Sequence, residues 1–345
     1  MATSANRLAS HPQDHGWREL YRLFGYGLRE SAPCLERTLC EYRTDIPTNS
    51  YSHMFTVLGI ALKATSLADF RKLIGPDPAD VRLAILESLL QEHHDAIKDI
   101  LQARRNSFTG ARRFLVSQVL MAAYFGQHNG YNVNFADFGT GLGIMPRQLN
   151  SRSLFELFSK DLIWPAGTPR FAHIPLASRF GVDQGPMPDL QWVHQCYGSS
   201  PYYSRLYREL LLTLETPEVK SAKVSYHEID ILDHDSIAQF IRNHRINAVN
   251  LCYVLYELEP SRRKAVIDAV RSELSTPGMI IVTEPHGELT QPGCTIELYH
   301  PTDHAPERIC TVSDGHFRGH ILPLDDYESF VERYPIHYKD GGAPR

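Results

Sequence analysis

Residues 133–143 read Val133-Asn134-Phe135-Ala136-Asp137-Phe138-Gly139-Thr140-Gly141-Leu142-Gly143. The apolar run Val133 to Phe138 predicts a strand, and it passes straight into three glycines at alternate positions, with Asp137 two residues before the first of them. Glycines at such a place let the chain turn tightly and let a ligand approach bare backbone. The segment after the turn predicts a helix whose free N–H groups would point at an anionic group such as a carboxylate or phosphate. A dinucleotide-binding G-x-G-x-x-G would need a small residue at position 144, which is Ile144. The other reading is a purely structural bend.

Outward from this turn, the character of the chain is consistent with one fold class. Phe114 to Phe125 reads as a buried helix, broken by Gly126 to Asn132 before the first strand. Further strands are predicted over Arg179–Asp183, Lys223–Ile229, Ala248–Val254 and Gly278–Thr283, with helices over Pro201–Leu214, Ser236–Asn243 and Pro260–Leu274 between them. Strands alternating with helices of this length predict an α/β, Rossmann-like, mostly parallel sheet covered on both faces. Residues 1–105 are expected to form an all-helical N-terminal region, since Trp17, Leu20, Tyr21, Leu23, Phe24 and Leu28, and then Met54, Phe55, Leu58 and Leu62, recur at helical spacing. The Rossmann-like domain is expected over 106–345. Its insert at 151–178, rich in Pro, Phe and Ser, is expected to be a subdomain or a substrate lid. The tail, Glu297 to Leu324, predicts hairpin strands, followed by a helix over Tyr327–Tyr334 and a last strand, Ile336–Tyr338.

Composition narrows the function classes. The chain has 345 residues, 43% hydrophobic and 22% charged, with a formal net charge of -5. It is globular rather than collagen-like or disordered, and it carries no basic footprint for nucleic acid or an anionic membrane. The six cysteines form no C-x-x-C pair and read as small core hydrophobes. Met1 to Arg18 has no apolar leader, and no apolar run approaches the ~20 residues of a membrane span. A cytoplasmic protein with reduced thiols is the expectation.

The alternate-glycine turn preceded by an acid suits S-adenosylmethionine. Asp137 would meet the cofactor's ammonium, and Gly139, Gly141 and Gly143 would accommodate its methionine end. Two later stretches strengthen this. Asn250-Leu251-Cys252-Tyr253-Val254-Leu255-Tyr256-Glu257-Leu258-Glu259-Pro260 is an apolar strand breaking into an acidic, aromatic turn, and Pro277-Gly278-Met279-Ile280-Ile281-Val282-Thr283-Glu284-Pro285 is a turn and a buried strand ending in an acid. The succession resembles the class I S-adenosylmethionine-dependent methyltransferases. From about Tyr51 to Leu289 the chain also resembles a broad bacterial family, DUF2332, of methyltransferase-like fold. That likeness includes Gly181-Val182-Asp183-Gln184-Gly185-Pro186 and Tyr226-His227-Glu228-Ile229-Asp230-Ile231-Leu232-Asp233. It departs from the family at Asn106-Ser107-Phe108-Thr109, where members usually read QTNE, and at the glycine turn, where many read GASAGLN. The resemblance implies that Asp183 accepts hydrogen bonds from the ribose hydroxyls and that Asp230 sits by the adenine amino group, with Asp233 as the alternative. As plain sequence, all three acids also suit turns or helix caps.

Open α/β sheets bind ligands beyond the carboxyl ends of their strands. Tyr253, Tyr256 and Glu257 after one strand, and Glu284 and His286 after the next, are therefore the candidate catalytic residues. Methyl transfer is an in-line displacement at a sulfonium, favoured by alignment and water exclusion. Aromatic faces would stabilise the positive sulfur, and Glu257, Glu284 or His286 would take the acceptor's proton. The tyrosines would equally pack on helices, and Glu257 would equally pair with Arg262 or Arg263. His300, His304, His316 and His320, with Asp303 and Asp314, read as an exposed loop rather than a metal site, and Arg112-Arg113 as a solvated helix face. The function expected is methyl transfer to a small molecule, as in secondary metabolism, with neither nucleic acid nor membrane as a partner. Two rivals are an enzyme of the same fold that closes a ring by letting a substrate amine expel its own leaving group, and a non-catalytic partner subunit.

Overall fold

The computed structural model describes residues 1–10, 14–46, 49–128, 130–303 and 305–339. Among these residues nine strands form one sheet: β1 (Val133–Phe138), β2 (Leu162–Ile163), β3 (Leu176–Asp183), β4 (Ser225–Glu228), β5 (Ala248–Cys252), β6 (Met279–Pro285), β7 (Cys294–Tyr299), β8 (Glu307–Val312) and β9 (Gly319–Pro323). Their order is β2-β9-β8-β7-β6-β5-β1-β3-β4. β4, β3, β1, β5 and β6 run parallel, and β7, β8 and β9 return as an antiparallel meander. The α/β class and the mostly parallel sheet are thus as expected.

Alternation along the strands divides the core into two layers. Val133 and Phe135 of β1 and Met279 and Ile281 of β6 face helix Phe114–Gly126, in a cluster that also takes in Ile296 and Leu298 of β7. Ala136, Phe138, Ile280 and Val282 face the other way, onto helices His234–His244 and Pro260–Glu273. Helix Phe114–Gly126 is buried on every side, as its continuous apolar sequence requires. Seven helices, from Ala2–Leu8 to His94–Ala103, precede the sheet and build a separate core around Phe24, Phe55, Leu58 and Leu90. Side-chain caps fix several starts: Asp14 accepts from the Trp17 N–H, Ser50 from His53 and Ser66 from Asp69. Among the described residues no helix is long and apolar enough to cross a membrane.

Several expectations need correction. The insert 151–178 is no lid. Leu154, Phe155, Phe158, Leu162, Trp164 and Ile174 are buried in the core beside helix Phe114–Gly126, and Leu162 and Ile163 pair in parallel with Gly319 and His320 at the edge of the sheet. Its aromatic residues are a packing stripe. β5 stops at Cys252 rather than Val254, because Tyr253 adopts a left-handed backbone with φ of 60°. The expected strand Ile336–Tyr338 is reduced to one isolated bridge between Pro169 and Tyr338. The arginines at 112 and 113 are not a solvated face: Arg112 is buried, with its guanidinium on Glu209 and Asp161, and Arg113 is turned into the interior. His300 and His316 are buried, not exposed; His304 lies outside the described residues.

Candidate functional site

A cavity of about 270 Å³ opens beyond the carboxyl ends of β1, β3, β4 and β5, where the sheet order turns outward from β1 in both directions. Connections leave to opposite faces at such a point, so a crevice remains between them. The helical layer supplies the opposite wall through Trp17, Tyr21, Thr56 and the segment Arg105–Gly110. Nothing from 151–178 reaches it.

The glycine turn forms the floor. Gly139, Gly141 and Gly143 all have positive φ, at 70°, 52° and 63°. Gly139 lies so close to Val254 that a side chain would overlap it, whereas a β-carbon on Gly141 would meet only Thr109 Oγ1, at an ordinary contact distance of 3.6 Å. Gly139 and Gly141 line the cavity and Gly143 does not. Asp183, at the end of β3, accepts a hydrogen bond from the Gly141 N–H at 2.8 Å and another from the Gln184 N–H at 2.9 Å, which ties the turn to its neighbouring strand. Burial raises the pKa of its carboxyl. Asp230, beyond β4, accepts from the Leu232 N–H and from Gln184 Nε2, both at 2.9 Å, and faces the same cavity.

Asp137 is the most perturbed acid facing the cavity. It is buried, and its two oxygens accept from Asn250 Nδ2 and Thr140 Oγ1, each at 2.8 Å. Burial pushes its pKa up to about 7 against those two hydrogen bonds, and the negative Asp183 adds to the rise. No ion pair among the described residues offsets its charge. A cationic group entering the cavity would do so.

The loop after β5 supplies the aromatic wall. Tyr253, Tyr256 and Glu257 all line the cavity. Tyr256 Oη accepts a hydrogen bond from Asn106 Nδ2 at 3.2 Å, and burial holds both phenols well above their ordinary range. Glu257 is partly exposed, with His53 Nδ1 3.4 Å from its Oε1. His53 comes from the helical layer and is wholly buried.

Glu284 and His286 lie elsewhere. The Glu284 carboxylate accepts from the N–H groups of Val254, Leu255 and Tyr256 at 3.2, 2.9 and 2.7 Å and caps the turn beneath the cavity. Its pKa too is pushed up to about 7 by burial, against those three bonds. The His286 ring lies within hydrogen-bond distance of the Pro292 carbonyl and Thr295 Oγ1, each at 3.0 Å. Neither side chain lines the cavity, so neither is placed to take a proton there.

Residues not expected as site residues also reach the cavity, among them the box Asn106–Thr109 at which the chain departs from DUF2332. Asn106 to Gly110 form one rim, and Phe108 packs its ring on Tyr197 and His316 at centroid separations of 4.3 and 5.0 Å. Arg113 lies beneath them, its guanidinium carbon 3.7 Å from the centre of the Tyr253 ring. The tail histidines do not converge. His316 joins the cavity, His320 lies on β9, and His300 meets Asp303 and Glu307 at the opposite end of the sheet. No family model matches the chain, and no match is found among curated proteins.

Proposed function

We propose that the chain is a class I-type S-adenosylmethionine-dependent methyltransferase acting on a small molecule. The observation that carries the reading is one cavity that gathers the glycine turn, the uncompensated buried acid Asp137, the two strand-end acids Asp183 and Asp230, and the tyrosines after β5. The strand order outward from β1, with an antiparallel strand beside β6, supports it. So does the resemblance to DUF2332.

The residues fit the cofactor by charge and by space. Asp137 would hold its ammonium, and the bare backbone at Gly139 and Gly141 would admit its amino-acid portion. Asp183 and Asp230 would accept from the ribose hydroxyls and the adenine amino group. When bound, S-adenosylmethionine supplies a methyl group on a positive sulfur. Tyr253 and Tyr256 present aromatic surface to the site and exclude water from it. Glu257 is the remaining candidate base, since it faces the cavity while Glu284 does not. The concave cavity and the net negative charge of the chain favour a small acceptor over a nucleic acid.

Equilibrium dialysis of the full chain against radiolabelled S-adenosylmethionine tests the reading. Saturable micromolar binding that is lost on replacing Gly141 with a bulky residue is the expected result. No binding by the folded chain overturns it. With binding established, product mass separates methyl transfer from ring closure within a single ligand, and a bound but unreacted cofactor identifies a non-catalytic subunit.

A further inference from the structure

Arg112 and Arg113 stand side by side where helix Phe114–Gly126 begins, and they meet opposite fates. Arg112 is saturated: Nε and one terminal nitrogen contact Glu209 at 2.9 and 3.0 Å, and that same nitrogen reaches Asp161 at 2.8 Å. Arg113 turns into the cavity. Its guanidinium lies over the Tyr253 ring at 3.7 Å and within 5.3 Å of the Phe108 ring centre, and its buried Nε has no hydrogen-bond partner. Among the described residues its side chain makes no ion pair and no hydrogen bond, while its main-chain N–H donates to the Gly110 carbonyl at 3.2 Å.

Aromatic rings satisfy only the face of a guanidinium. Its five N–H donors point outward in the plane and need acceptors there. Its Nε is kept from water at a cost while the rest of the fork borders the cavity, where an entering acceptor would complete it. The groups that bear on it most, Cys252, Tyr253, Cys294 and Tyr256, are thiols and phenols held neutral by burial, so none of these four supplies a carboxylate partner. The planar fork matches a carboxylate, which accepts two parallel N–H bonds.

We propose that Arg113 is the carboxylate receptor of this cavity. The inference rests on the cavity being a ligand site, and not on methyl transfer. The carboxylate has two sources, the amino-acid end of an adenosylated cofactor or a free carboxylic acid bound as the acceptor, and the test distinguishes them.

Full-length wild-type protein, R113Q and R113K are titrated calorimetrically with S-adenosylmethionine and with its decarboxylated analogue. Their melting is followed in succinate and L-glutamate against chloride at equal ionic strength. If the carboxylate belongs to the cofactor, R113Q binds S-adenosylmethionine about a hundredfold more weakly than wild type and no longer prefers it to the decarboxylated analogue. If it belongs to an acceptor, R113Q binds S-adenosylmethionine as wild type does, while succinate or L-glutamate raises the melting temperature of wild type alone. Either result supports the receptor, with R113K retaining part of the effect. A folded R113Q that matches wild type in both assays overturns it, as does a wild type indifferent to every carboxylate. If R113Q does not fold, R113K decides, and unchanged preference for carboxylates in R113K overturns the fork. Failure of wild type to bind any adenosyl compound removes the methyltransferase reading alone, and the melting assays still judge Arg113.

Discussion

The ends of β1 and β6 carry two carboxylates with the same upward shift to about 7, and they do different work. Glu284 at the end of β6 is enclosed by three backbone N–H groups and faces away from the cavity. Asp137 at the end of β1 is held by two side chains, Asn250 and Thr140, and faces into it. A raised pKa therefore marks burial at both places and a binding role at only one. What separates them is that three backbone N–H groups of the turn after β5 occupy the Glu284 carboxylate, whereas two side-chain donors leave the Asp137 carboxylate open to the cavity.

The largest loss of stability is expected from Glu284→Ala. That change leaves three N–H groups without their acceptor, and it is expected to cost about 3–5 kcal/mol in urea unfolding. Asp137→Asn keeps the shape and removes a charge that burial disfavours, so its unfolding free energy should stay within ~1 kcal/mol while S-adenosylmethionine binding is lost. Equal destabilisation by the two changes would end the distinction. The two glycines at the same strand end sharpen it. Gly139→Ala drives a methyl into Val254 at positive φ and should destabilise by about 2–4 kcal/mol, whereas Gly141→Ala meets only the backbone penalty of about 1–2 kcal/mol.

The pH dependence follows from the same pair. Each folded pKa of about 7 lies above the ordinary values of 3.8 for Asp137 and 4.5 for Glu284. Between these limits the native state keeps protons that the unfolded chain has released, so stability falls as pH rises from about 4 to about 7, by up to ~1.4 kcal/mol per pH unit for each group. Melting temperatures across that range should flatten in part in Asp137→Asn. A cationic ligand that pairs with Asp137 should flatten them similarly in wild type. The smallest effect expected is from Asn106→Ala, about 0.5–1.5 kcal/mol for its bond to Tyr256, read as weaker ligand binding with an almost unchanged melting point.

Local signals made the end of β1 legible. An apolar strand, an acid and three spaced glycines lie within nine residues, and the turn needs nothing distant to be recognised. The positions of β3 to β6 were equally readable from apolar runs, to within a few residues. The opposite wall was not. Arg113 and Arg112 are the same residue type one position apart, and only the three-dimensional placement of Glu209 and Asp161 gives one of them partners. Asn106 and His53 reach Tyr256 and Glu257 through tertiary packing that no spacing announces. Glu284 and His286 satisfied the rule that ligands bind at strand ends, but that rule does not say which way the chain leaves the strand. The Phe-rich insert at 151–178 had the composition of a lid, yet Phe155, Phe158 and Trp164 are core residues.

The pairing of Leu162–Ile163 with Gly319–His320 bears on how the molecule is made. A ribosome delivers the first of these segments long before the second. Until then β2 has no strand to pair with, and the insert packs on helix Phe114–Gly126 without the tail residues Phe317, Ile321 and Phe330 that complete its cluster. Synthesis that stalls short of residue 319 should therefore release a sticky fragment that chaperones retain, although every residue lining the cavity has already been translated.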